Sequence, residues 1–386
     1  MGLKAPKRFK IAFVAGTRPE IIKTAPVYLA VARQPDLQPV FINTGQHREM
    51  SHMFLNLFNI VSDYDLNIMK PEQSLSSLSA SILQELERIL QRENPDWVLV
   101  QGDTTSAFCG ALSAFYQKIA IGHIEAGLRT GDIYSPFPEE MNRILVGRLS
   151  TYHYAPTQKA KDNLLNEGIS PNKIMITGNT VVDALYWIQS QNKQISSSDI
   201  SRLLSSNPNQ RLVLVTAHRR ENWEGGIANV AEAVVRLAKR FPDIVFIFSV
   251  HPNPVVKDQV YAILSNQANV FLHDPLDYFD FIKVLNQSLL AISDSGGVQE
   301  EAPSLGVPVI ITRSTTERPE ILGTGMGYLA GTDQTTIINL ATELLTKKQA
   351  RKAQNIFGDG FASQRIVQSI LFSLGKIPKR PDEFDY

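Results

Sequence analysis

At 386 residues the chain is too long for one ordinary hydrophobic core and fits two domains of common size. Hydrophobic residues make up 43% and charged residues 20%, as in soluble globular proteins, and Lys plus Arg equals Asp plus Glu at 38 each. That balance provides no global field to draw the chain to nucleic acid or an anionic membrane, so neither is expected as a partner.

The chain opens with Lys4, Lys7, Arg8 and Lys10, but only about six apolar residues follow before Thr17-Arg18-Pro19-Glu20, too few for a signal-peptide core. Met1-Gly2 fits a myristoylation start except that Pro6 stands where Ser or Thr is required. The first expected strand, Lys10–Ala15, breaks into Gly16-Thr17-Arg18-Pro19-Glu20 and a helical stretch. Pro19 suits a first helical turn, whose free N–H groups, with Arg18, would receive an anion; alone, Arg18 is equally a surface residue. The full Gly-rich dinucleotide fingerprint is absent, so no nicotinamide cofactor is supported.

Strands are expected next at Pro39–Asn43, Trp97–Gln101 and Ile119–Ile124, with a weaker one at Tyr152–Ala155. Between them Ser76–Glu93 reads as a helix, with Leu78, Ile82, Leu86, Ile89 and Leu90 on one face. Alternation of strand and helix predicts parallel pairing with right-handed crossovers. Asp103, after Trp97–Gln101, is either a helix N-cap or an acid aimed at a ligand. Cys109, the one cysteine, lies in an apolar run and reads as a buried structural residue. A single cysteine excludes intrachain disulfides and suits a reducing compartment; with no run near the roughly 18 apolar residues of a membrane span, the expected location is cytoplasmic. Glu125, just past a buried strand, is hard to explain structurally. Glu139 and Glu140 follow Pro138 at a helix start, where acids also favour the helix dipole.

Gln189–Gln210, rich in Ser, Asn and Gln, interrupts the pattern. The alternation restarts at Leu212–Thr216, Val245–Val250, Val270–His273, Leu290–Ser293 and Pro308–Thr312, which predicts two doubly wound domains with a ligand cleft between them. His218 and His251 follow second-half strands directly, and His47 and His123 lie at or near the ends of first-half ones; a lone histidine there is as often structural as functional. Ser295-Gly296-Gly297 follows Leu290–Ser293 and reads as a backbone anion site or as a turn needing positive φ. Glu300 and Glu301 are placed in the first helical turn, where they complement the dipole or accept hydrogen bonds from ribose hydroxyls. The final helical run, roughly Ser363–Leu374, is a candidate to pack back on the first domain. No His, Cys or carboxylate cluster has metal-ligand spacing, and no serine-hydrolase elbow or P-loop appears.

Taken in order, these blocks resemble the bacterial non-hydrolysing UDP-N-acetylglucosamine 2-epimerases. The matching stretches are Gly16-Thr17-Arg18-Pro19-Glu20, Gln46-His47-Arg48-Glu49-Met50, Gly102-Asp103-Thr104-Thr105 and His123-Ile124-Glu125-Ala126-Gly127-Leu128-Arg129. They continue with Ser135-Pro136-Phe137-Pro138-Glu139-Glu140, Gly178-Asn179-Thr180, His218-Arg219-Arg220-Glu221-Asn222 and Asp294-Ser295-Gly296-Gly297-Val298-Gln299-Glu300-Glu301. Thr315-Thr316-Glu317-Arg318-Pro319-Glu320 and Gly358-Asp359-Gly360 complete the set, which spans about Lys10 to Ile370.

The resemblance implies a GT-B fold: two Rossmann-like doubly wound domains with the active site in the cleft between them. Residues 1–179 would carry the acid–base groups, residues 180–362 would bind UDP, and residues 363–386 would pack back on the first domain. It implies reversible C2 inversion between UDP-GlcNAc and UDP-ManNAc, through UDP elimination to a 2-acetamidoglucal and re-addition, without cofactor or metal, and a homodimer. Asp103, Glu125 and Glu139 would be the acid–base residues, supported by Lys23 and Arg143. Arg18, His218, Arg313 and Ser295-Gly296-Gly297 would hold the diphosphate, with His251 also at the substrate, and Glu301 would bind the ribose. Gln46, His47, Arg48 and Arg219, with His251, would serve a second, activating UDP-GlcNAc.

Three positions depart from the family pattern: Ala15 for Phe, Gln101 for His and Ser314 for Asp. Glu72 stands where regulated members carry Arg, and an acid there would repel a diphosphate. Alternatives are a hydrolysing epimerase, a GT-B glycosyltransferase, a diacetamido-uronate epimerase and a non-catalytic nucleotide-sugar sensor.

Overall fold

The computed structural model describes residues 8–45, 48–69, 73–191, 193–206, 210–347 and 352–385. It divides into two compact units: Met1–Ala184 with Phe357–Tyr386, and Leu185–Ile356. In chain order the first unit holds β1 (Phe9–Ala15), α1 (Arg18–Ala32), β2 (Leu37–Asn43), α2 (Arg48–Leu57), β3 (Tyr64–Asp65) and α3 (Leu75–Glu93). There follow β4 (Trp97–Gln101), α4 (Thr105–Tyr116), β5 (Ala120–Ile124), α5 (Glu139–Leu149), β6 (Tyr152–Ala155), α6 (Gln158–Asn166) and β7 (Ile174–Ile176). The unit boundary falls within α7 (Thr180–Ser190). The second unit holds α8 (Ser198–Ser206), β8 (Arg211–Ala217), α9 (Gly226–Arg240), β9 (Ile244–Val250), α10 (Pro254–Leu264), β10 (Val270–His273) and α11 (Tyr278–Gln287). It ends with β11 (Ser288–Ser293), α12 (Gly296–Glu301), β12 (Val309–Ile311), β13 (Gly327–Leu329) and α13 (Gln334–Thr346), and α14 (Ala362–Ser373) returns to the first unit against α1.

Every strand pairing is parallel. The orders are β3-β2-β1-β4-β5-β6-β7 and β10-β9-β8-β11-β12-β13, so each unit is a Rossmann-like domain whose winding reverses beside its first strand. The reversal falls between β1 and β4 in one unit and between β8 and β11 in the other. Loops on either side of such a point leave in opposite directions and open a crevice at the strands' carboxyl ends.

Helices cover both faces of these sheets, so the central strands read as unbroken apolar runs rather than alternating ones. In the first unit Ala12, Val14, Val40, Ile42, Val98 and Val100 pack under Leu78, Ile82 and Leu86 of α3 and Ala107, Cys109 and Ala111 of α4. In the second, Val213, Val215, Phe246, Phe248, Leu290 and Ile292 pack under α9, α10 and α13. Each such buried aliphatic or aromatic side chain contributes about 1.5–3 kcal/mol. Ser74 caps α3 by accepting from the Ser77 N–H (3.2 Å), and Asn94 ends the helix in the left-handed region.

All the strands expected above are present, with ends moved by at most two residues. The short β3, β7 and β13 were not foreseen, since two or three residues leave no periodicity to read. Among the described residues no helix is long and apolar enough to cross a membrane.

Candidate active site

In the first unit the chain leaves β1 through Gly16, where a Cβ would stand 1.7 Å from the Thr44 hydroxyl oxygen; only glycine lets this loop lie against the one after β2. Arg18 opens α1 with its guanidinium 5.2 Å from the Phe54 ring centroid. Pro19 occupies the first turn, as its missing N–H allows. Glu20 turns back: its Oε2 accepts from the backbone N–H of Gly16 (2.9 Å) and Thr17 (2.7 Å), and its Oε1 accepts from the Thr104 hydroxyl. One buried carboxylate thus joins the loops on either side of the β1/β4 switch point. Burial pushes its carboxyl up, against the hydrogen bonds that favour the anion.

Asp103 follows β4 through Gly102, which lies at φ 69°. The cap of α4 is Thr104, accepting from the Ala107 N–H (3.0 Å), which removes the N-cap reading of Asp103. Arg143 holds the Asp103 carboxylate through Nε (3.1 Å) and Nη2, and holds Glu140 through Nη1 (3.0 Å). Glu140 in turn accepts from the N–H groups of Thr130 (3.0 Å) and Gly131 (3.2 Å). Glu139, beside it, opens α5 half-buried.

Glu125 adopts φ 64°, a left-handed conformation that costs a residue with a Cβ roughly 1–2 kcal/mol. Its side chain is 7% exposed, and its Oε2 accepts from the Lys23 ammonium and from Asn179 Nδ2 (3.0 Å). A strained carboxylate held by a buried cation at the end of a strand suits a functional role better than a structural one. His123 goes the other way. It is fully buried inside β5, its Nε2 is bonded to the Gly102 carbonyl (2.8 Å), and burial drives its pKa down to about 3. The neutral ring supports the Gly102 turn.

In the second unit Asp294 follows β11 directly and is fully buried. Its Oδ2 accepts from the backbone N–H of His218 and Arg219 (2.9 Å each) and from Asn222 Nδ2 (3.1 Å). Its Oδ1 lies 3.1 Å from His218 Nδ1. Burial pulls the Asp294 carboxyl upward, but His218 and the two backbone donors outweigh it and hold it below the usual range. The His251 ring, from the end of β9, stacks on His218 with centroids 6.1 Å apart at 16°. Burial, then the His218 charge, pushes His251 below its ordinary pKa.

Arg219, Arg313 and Arg318 gather around these loops: burial first, and then the charges of Arg313 and Arg318, hold Arg219 below its ordinary pKa. Arg313 pairs with Glu221 (2.7 Å), and Arg318 with Glu300 (2.7 Å) and Glu317 (2.8 Å). The Arg219 Nε and the Arg313 Nη1 are buried with no hydrogen-bond partner among the described residues. A buried, unpaired donor costs about 1–3 kcal/mol, which an anionic ligand would recover.

Neither Gly296 nor Gly297 has positive φ, so the turn reading of these glycines fails. What Gly296 provides is space: a Cβ there would meet the Arg318 guanidinium at 2.8 Å. Glu300 and Glu301 end the six-residue α12 instead of starting it, because Ser295 caps the helix and Gly296 already begins it. Their placement in a first turn is therefore corrected. Glu301 accepts from the Tyr278 hydroxyl (2.8 Å), and its Oε2 lies 4.0 Å from where a Cβ on Gly297 would be, with Ser295 Oγ 3.7 Å from the same point.

The structure therefore brings Lys23 to Glu125, Arg143 to Asp103, His218 to His251, and Ser295, Gly297 and Glu301 to one place. Gln46, His47 and Glu72 lie outside the described residues; Arg48 begins α2, and its side chain is outside them too. The sequence did not single out Glu20, Asn179, Asp294, Tyr278 or Arg318. Only Glu20 had a readable local signal, the Thr-x-x-Glu spacing of a capping box.

The family model for UDP-N-acetylglucosamine 2-epimerase matches residues 29–371. The chain is 45% identical over 370 residues to the UDP-N-acetylglucosamine 2-epimerase of Escherichia coli K12, an alignment covering 94% of this chain and 98% of that one. Among solved structures it resembles the Neisseria meningitidis UDP-GlcNAc 2-epimerase bound to UDP-GlcNAc at a TM-score of 0.87 and 44% identity, over 94% of this chain and 100% of that one. It also resembles the Methanocaldococcus jannaschii UDP-GlcNAc 2-epimerase in complex with UDP-GlcNAc and UDP, at a TM-score of 0.79 and 34% identity, over 94% and 100%. With nearly its whole length matched by sequence and by fold, the chain belongs to the UDP-N-acetylglucosamine 2-epimerase family of isomerases.

Proposed function

We propose that the chain interconverts UDP-GlcNAc and UDP-ManNAc by eliminating UDP across C1–C2 and adding it back to the 2-acetamidoglucal with a proton on the opposite face of C2. The C2 hydrogen is not adjacent to a carbonyl, so direct deprotonation would leave a poorly stabilised carbanion. Elimination avoids that. It requires proton-transfer groups near C2 and stabilisation of the departing diphosphate.

The observation that carries the reading is the pair Asp103 and Glu125, at the ends of the neighbouring strands β4 and β5, each held by its own cation. Two separately oriented carboxylates suit proton removal on one face and delivery on another; glycosyl transfer to an acceptor does not call for both. Glu139 is the third acid–base residue, and Lys23 and Arg143 orient the first two. Arg18, His218, His251, Arg313 and the Ser295-Gly296-Gly297 stretch bind the diphosphate, and Glu301 the ribose. The buried unpaired donors of Arg219 and Arg313 favour an anionic ligand there, and the meningococcal relative's bound UDP-GlcNAc supports the choice of substrate. No cofactor or metal is assigned a step, the working form is a homodimer, and the product serves as a ManNAc-type precursor for surface polysaccharide.

Proton NMR of the purified protein with UDP-GlcNAc in deuterated water tests this. UDP-ManNAc with deuterium at C2 is expected. Free ManNAc with UDP would replace the proposal with a hydrolysing enzyme, and no turnover would overturn it.

A further inference from the structure

The geometry points to Asp294 as the positioning residue of His218: its carboxylate keeps a proton on Nδ1 and fixes the ring, so that Nε2 is the nitrogen turned to the ligand and, when it too is protonated, donates to an anionic oxygen. The inference rests on the reading of His218 as a ligand-contacting residue.

Asp294 stands at the β8/β11 switch point, and its Oδ2 already takes three donors, two of them the backbone N–H groups of His218 and Arg219. These bonds fix the carboxylate relative to the very residue whose ring it faces. Oδ1 is left buried with no aligned hydrogen bond, and His218 Nδ1 lies 3.1 Å away. A buried carboxylate oxygen without a donor is costly, and a proton on Nδ1 removes that cost after a slight ring rotation.

The neighbouring ring sharpens the assignment. His251 Nδ1 accepts from the Asn253 N–H (3.2 Å), so the His251 proton lies on Nε2 and that ring is neutral. Of the two stacked imidazoles only His218 sets Nδ1 against a carboxylate, so the donor that Oδ1 lacks belongs to His218. The first unit repeats the device: Glu20, buried at the β1/β4 switch point, ties two strand-end loops through both of its oxygens. In each unit one buried carboxylate sets the relative position of the loops that carry the site residues.

The test begins with the unmodified full-length protein. Nitrogen-15 spectra of histidine-labelled protein, with the His218 resonances identified by their loss in His218→Asn, should place a proton on Nδ1. A bare Nδ1 with the proton on Nε2 would overturn the inference, even if Asp294→Asn failed to fold. In Asp294→Asn the Nδ1 proton should be lost and kcat/KM should fall about 100-fold, by analogy with tautomer loss in Asp–His pairs. The double variant Asp294→Asn/His218→Asn should be no slower than His218→Asn alone; additive losses would mean that Asp294 acts independently of His218. The tautomer readout needs no turnover, so absence of epimerisation with Nδ1 protonated would sink the functional reading and leave this one standing.

Discussion

Glu20 and Thr104, 84 residues apart, share a part-buried hydrogen bond that links the loop after the first strand to the turn after the fourth. The same carboxylate holds the Gly16 and Thr17 N–H groups, so it sets where both Arg18 and Asp103 begin. Glu20→Ala leaves the buried Gly16 donor and two part-buried ones, the Thr17 N–H and the Thr104 hydroxyl, without this acceptor and should cost about 2–4 kcal/mol. Glu20→Gln should cost less, because an amide oxygen still accepts from the backbone and its NH2 reaches Thr104. Thermal melts of the two variants decide; equal losses would refute the hydrogen-bond account.

Replacing either held carboxylate should stop the chemistry while sparing the fold. Glu125→Gln and Asp103→Asn are each expected to lower the rate of UDP-GlcNAc epimerisation by roughly 10²–10⁴-fold. Retention of a tenth of the wild-type rate by either variant would remove that residue from proton transfer.

Asp183 gives a pH signature of stability. It accepts from the Ala362 N–H (3.2 Å) and the Ser363 N–H (2.7 Å) at the start of α14, and burial raises its pKa from 3.8 to about 6. Because the folded-state value lies above the unfolded one, the folded protein binds the proton more tightly. That stabilisation is complete below about pH 4 and is lost as pH rises through about 6, a change on the order of 3 kcal/mol. The melting temperature of wild type relative to Asp183→Asn should therefore fall across this window. A constant difference would contradict the assignment.

Gly296→Ala should destabilise the second unit by about 1–3 kcal/mol, since the new methyl displaces Arg318 from Glu300 and Glu317. Gly297→Ala meets nothing closer than 3.7 Å and should melt near wild type. Differential scanning calorimetry separates them, and equal melting temperatures would show that Gly296 is not needed for space.

The alternation of apolar runs and amphipathic helices by itself determined two parallel α/β sheets, because strands buried on both faces and helices buried on one leave distinct local periods. It also placed Asp103, Glu125, His218, His251 and Ser295 at strand ends, since polar residues that interrupt an apolar run mark where a strand leaves the core. What each of these residues touches was decided by tertiary structure alone. Lys23 meets Glu125 across 102 residues and Asp294 meets His218 across 76, contacts set by strand order and register. The left-handed backbone of Glu125 and the short strands β3, β7 and β13 depend likewise on neighbours distant in sequence, which no local spacing encodes.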